Sequence, residues 1–117
     1  MPSYGHRPLS FTIANAANLS DAQQLNGLHG EGLVMPAAWT AATLGFAVSD
    51  TLAGTYLPLV DAAGVEVAIN VAASQAIVLP MGLLRGWNFV KLQSGTSAVP
   101  VNQGGQRIVQ MLARAYE

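Results

Sequence analysis

Short runs of alternating apolar and polar side chains recur along the chain, and this period of two constrains the fold more than any other feature. From Val65, the run Val-Glu-Val-Ala-Ile-Asn-Val places Val65, Val67, Ile69 and Val71 on one face and Glu66, Ala68 and Asn70 on the other. That is the pattern of a half-buried β-strand. Leu44, Phe46 and Val48 alternate with Thr43, Gly45, Ala47 and Ser49, and Leu9, Phe11 and Ile13 alternate with Ser10 and Thr12. Further strands are expected over Glu31 to Met35, Tyr56 to Val60, Gln75 to Leu79, Trp87 to Ser94 and Arg107 to Ala115, about eight in all.

Turn chemistry separates these runs: Ser49-Asp50, Ala53-Gly54-Thr55, Asp61-Ala62-Ala63-Gly64, Ser94-Gly95-Thr96-Ser97 and Gly104-Gly105. Short strands spaced roughly ten residues apart indicate an all-β sandwich or jelly roll, and 117 residues suffice for one such domain. The chain is therefore divided into an extended N-terminal arm over residues 1–8, which holds two prolines, and a sandwich over residues 9–117. Two short helical turns are also expected. Ser20-Asp21-Ala22-Gln23-Gln24-Leu25 opens on capping residues, and Pro80-Met81-Gly82-Leu83-Leu84 precedes Gly86. The segment Ile108 to Arg114 suits either period, and its β-branched start after Gly104-Gly105 favours a strand.

Charge narrows the functions. Five basic residues (Arg7, Arg85, Lys91, Arg107, Arg114) are scattered against six acidic ones, so no basic run is available to a row of phosphates. Nucleic acid is not expected as a partner. The uncharged stretch Gly32 to Ser49 is short of a ~20-residue membrane span and is interrupted by Pro36. The N-terminus has no apolar core of a signal peptide. Without cysteine there are no disulfides, thiolate metal sites or thiol nucleophiles.

The residue types that carry chemistry do not assemble into a motif. His6 and His29 belong to no HxH or HExxH spacing, no GxSxG elbow is present, and Asp21, Glu31, Asp50, Asp61, Glu66 and Glu117 form no close pair. Asp50 and Asp61 fall in turns, where an Asp side chain most often bonds its own backbone. No catalytic residue, metal ligand or cofactor is therefore expected. Trp39, Tyr56, Trp87 and Phe89 admit two interpretations: packing in the core or a subunit contact, or a platform on which a sugar ring stacks.

The segments 87–92 and 108–112 are apolar on both faces, whereas a strand of a free-standing sandwich shows one polar face. Something must cover the second face. With only 9% charged residues in the whole chain, self-association is the simplest expectation. Candidate contact residues are Tyr4, His6 and Arg7 in the arm, Met35, Pro36 and Trp39, and Trp87 and Met111.

Several segments resemble small structural proteins encoded by tailed bacteriophages and prophages: Leu33 to Ala42 with its MPAAW sequence, Phe46 to Ser49, Asp61 to Val67, and Leu92 to Ser97, which opens the SGTSA sequence. The resemblance spans roughly residues 19–115. The first hairpin departs from it, reading Ser49-Asp50-Thr51-Leu52-Ala53-Gly54 where such proteins often have Ser-x-Asp-Gly-Gly. The resemblance implies a non-enzymatic β-sandwich of a virion assembled in the bacterial cytoplasm. Its roles there would be a capsid decoration (cement) protein, a head fibre, or a neck or tail component. Decoration as a homotrimer bound to the major capsid protein or another virion protein is the leading expectation, and a carbohydrate-binding module is the alternative.

Overall fold

The computed structural model describes residues 6–115. Its eight strands are β1 (His6–Ile13), β2 (Gln23–Gln24), β3 (His29–Val34), β4 (Leu44–Ser49), β5 (Leu57–Pro58), β6 (Ala76–Val78), β7 (Phe89–Ser94) and β8 (Arg107–Arg114). They form two antiparallel four-stranded sheets, sheet A in the order β1-β8-β3-β6 and sheet B in the order β2-β7-β4-β5. The first strand pairs with the last, the second with the seventh, the third with the sixth and the fourth with the fifth. A long hairpin folded over on itself gives that nesting, and the result is a jelly-roll sandwich.

Alternation along the strands builds the core. Leu9, Phe11 and Ile13 of β1, Leu44, Phe46 and Val48 of β4, Val90 and Leu92 of β7, and Val109, Met111 and Ala113 of β8 are all buried. In β3 the alternation is broken at Glu31, where the register with β8 jumps from Gly30↔Ala113 to Gly32↔Leu112. This bulge lets Gly30 and Leu33 both be buried, while Gly32 and Val34 take the other side. A side chain at Gly30 would meet the Met111 sulfur at 2.9 Å.

Two sequence expectations are corrected. The clearest period-two run, residues 65–71, is not a strand of either sheet. It lies extended, joined to β4 by the isolated bridge Leu44↔Ile69 and to the residues after β5 by the bridge Val60↔Glu66. Its pattern still reports burial, because Val67, Ile69 and Val71 pack against the core. The expected helical turn at Ser20 to Leu25 is instead extended along β7 and contains β2. Its capping residues serve the sheets: the Asp21 carboxylate accepts the Thr12 N–H at 2.8 Å, and the Ser20 hydroxyl oxygen accepts the Leu92 N–H at 2.8 Å. The segment after Pro80 does form consecutive turns, with Leu83 N–H donating to the Pro80 carbonyl and Trp87 N–H to that of Leu84. The first strand starts at His6 rather than Leu9, so three residues assigned to the arm pair with β8.

Loops at one end of the sandwich are joined by a buried polar pin. Gln103, 1% exposed, donates to the Thr40 carbonyl and the Ser94 hydroxyl and accepts from Thr40 N–H and Arg107 Nε. Every buried polar side-chain atom among the described residues has a hydrogen-bond partner.

Candidate functional site

The outer face of sheet A carries an ordered row of exposed apolar residues. Register places Pro8 beside Leu112, Leu112 beside Gly32 and Gly32 beside Val78, a row crossing all four strands. Their inward neighbours Leu9, Leu33 and Met111 fill the core, so this row points away from it. Val78 is 85% exposed and Leu112 41%. Exposed Val34 flanks the row, beside the polar pair Ser10 and Gln110, and exposed Ile108 lies beyond that pair. A shallow groove of about 250 Å³ runs over Gly32 between Val34, Val78 and Leu112.

A second depression, of about 230 Å³, lies on sheet B and is lined by Asn18, Tyr56, Glu66, Gln93 and Ser97 among others. Its polar groups are already engaged. The Glu66 carboxylate accepts the Ser97 N–H at 2.8 Å and the Ser97 hydroxyl, and the Gln93 amide donates to Asn18 and to the Ser94 carbonyl. The Lys91 ammonium sits 4.4 Å from the centre of the Tyr56 ring, within cation–π range. These contacts bind the 95–100 loop and the 65–71 segment onto the sheet. Gly95, at φ +79, belongs to the same construction, since a Cβ there would meet the Val99 carbonyl oxygen at 2.5 Å.

A third cleft, of about 370 Å³, is lined by Trp87, Asp50, Thr55, Leu57, Pro58 and Val60 with their neighbours. The Ser49↔Phe89 pair ends the β4·β7 ladder, which places the residues just beyond it, Asp50 and Trp87, at the same end of sheet B. Among the described residues no three of His, Asp and Glu come close enough to hold a metal ion.

The residues selected from sequence are dispersed. Tyr4 lies outside the described residues, and His6 and Arg7 belong to β1 by their backbone. Met35 and Met111, at 4% and 0% exposure, are spent on the core and cannot reach a partner. Pro36 is half-buried. Trp39 is also half-buried, packs against the core, and donates its indole N–H to the Ala42 carbonyl at 3.2 Å. Trp87, by contrast, is 37% exposed rather than packed in the core. The doubly apolar character expected of 108–112 is present in β8, where Ile108 and Leu112 are exposed on one side and Val109 and Met111 buried on the other. The row across sheet A escapes sequence reasoning because it joins residues 8, 32, 78 and 112, which only strand order makes neighbours.

Compared with protein families, curated proteins and solved structures, the chain matches none.

Proposed function

We propose that the protein is a non-enzymatic structural component of a tailed-phage particle, a decoration protein that associates with copies of itself as a trimer and binds the head. The observation that carries this reading is the apolar row Pro8–Leu112–Gly32–Val78 on the outside of sheet A. Apolar surface ordered in this way is stabilised when a partner removes it from water, at about 25 cal/mol per Å² before the costs of association. A sister subunit is the simplest cover, and many copies on one shell turn modest pairwise affinity into avidity. The sequence resemblance to phage structural proteins supplies the particle. The polar groups of the Glu66 groove are consumed by internal hydrogen bonds, which favours a scaffold over a reaction centre.

The test is mass and retention. Native mass spectrometry of the purified protein is expected to give a trimer, and addition to heads lacking decoration is expected to raise the temperature at which they release DNA. A monomer at all concentrations together with unaltered heads would overturn the proposal.

A further inference from the structure

The cleft at Trp87 lies apart from the sheet A face and has a different chemistry. It is lined by the indole residue Trp87, by aliphatic residues (Leu57, Pro58, Val60) and by the polar residues Asp50 and Thr55. Both polar groups are uncommitted: neither side chain has a hydrogen bond or ion pair among the described residues. Asp50 would ordinarily bond the backbone of its own turn, as Asp61 does by accepting from Ala63 N–H and Val65 N–H. In the 49–51 turn Ser49 performs that task, its hydroxyl donating to the Thr51 carbonyl and accepting the Thr51 N–H. The Asp50 carboxylate is thereby left to face solvent at the mouth of the cleft.

We infer that this cleft is a binding site for a single neutral pyranose ring. A sugar presents C–H groups on one face, which suit the electron-rich face of an indole, and hydroxyls at its edge, which suit a carboxylate and a hydroxyl. The volume of about 370 Å³ falls at the lower end of the range for small-ligand sites, enough for one ring and little more. A quaternary ammonium, the other ligand that an aromatic and a carboxylate attract, is enclosed by several aromatic walls, and here the walls beside Trp87 are aliphatic. The two tryptophans are not equivalent as platforms. Trp39 is half-buried with its indole N–H bonded internally, whereas Trp87 is 37% exposed and lines this cleft.

The protein has two indole N–H groups, Trp39 and Trp87, so a proton–nitrogen NMR titration reads the site directly, with the signals assigned by Trp87→Phe. The probes are the methyl pyranosides of glucose, galactose, mannose and N-acetylglucosamine, with tetramethylammonium chloride as the competing ligand class. At least one glycoside is expected to move the Trp87 signal saturably while the Trp39 signal stays in place. Asp50→Asn is expected to weaken that binding roughly tenfold, and Trp87→Ala to abolish the glycoside-induced shifts of the Asp50 and Thr55 backbone amides with the methyl spectrum of the core unchanged. If no glycoside moves the Trp87 signal, if both indoles drift together without saturation, or if only the ammonium salt shifts it, the assignment is wrong.

Discussion

Gln103 shows how much a single side chain contributes here. It is fully enclosed, yet both ends of its amide are used, toward Thr40, Ser94 and Arg107. A buried amide in that position holds the loops around Thr40 and Gly104 in one arrangement that an apolar side chain would not specify. Gln103→Leu keeps the volume but leaves the Thr40 N–H and carbonyl without their partner. A loss of roughly 2–4 kcal/mol is expected from the two orphaned backbone groups, read as a lower denaturant midpoint at unchanged slope in urea unfolding. A variant as stable as the parent would show that water replaces the amide at no cost. Asp50 and Asp61 give the residue-scale contrast, since both lie in turns but only Asp61 bonds its own backbone. Residue type suggested the same role for both, and the neighbouring Ser49 made the difference.

At the scale of elements, period two was a faithful guide to burial and a poor guide to pairing. The strand expected at Leu44 to Ser49 coincides with β4, and those expected around Leu9, Glu31, Gln75, Trp87 and Arg107 hold β1, β3, β6, β7 and β8 to within a few residues. The run from Val65 has the best alternation of all and yet forms no ladder. It is hydrogen-bonded at every second residue, Val67 N–H to the Leu59 carbonyl and Ile69 N–H to that of Leu44. Local sequence sets which face is apolar, whereas a ladder also needs a neighbour with a free edge along its whole length, and β5 already occupies part of β4. Amide hydrogen exchange should separate the two situations. Val67 and Ile69 are expected to exchange slowly and Val71 fast, since the alternation of bonded amides stops before it, whereas slow exchange at Val71 as well would mean a continuous edge strand. The misjudged helix at Ser20 has a similar cause, because Ser and Asp that cap helices bond equally well to the exposed backbone of β1 and β7. Met35 and Met111 were selected as contacts on apolar character alone, which cannot distinguish an inward from an outward position. The Trp87 cleft is half legible in the sequence: the aromatic stands out, but Asp50 lies 37 residues away and only the β4·β7 register brings it to the same end of the sheet.

At the scale of the whole molecule, the sheet edges bear on the self-association proposed above. β2 and β5 have two residues each and β6 three, while the longer β1 carries Pro8 and is bonded at Thr12 to Asp21. Short or covered edges oppose open-ended strand addition, so the trimer proposed above would close through the outer face of sheet A instead. A double variant, Val78→Asp with Leu112→Asp, places charge on both sides of the groove over Gly32. It is expected to sediment as a monomer with an unchanged far-ultraviolet dichroism spectrum, and an oligomer that persists would exclude this face. The position of β8 has a further consequence. In sheet A it lies between β1 and β3, so the last of the eight described strands to be made occupies the middle. Until residues 107–114 have left the ribosome, β1 has no neighbour in its sheet, and the apolar side chains of Leu9, Phe11 and Ile13 have no closed core to enter. Contacts this distant in sequence make folding slow, and a nascent chain held open in this way offers chaperones a target at a stage when the finished domain would not.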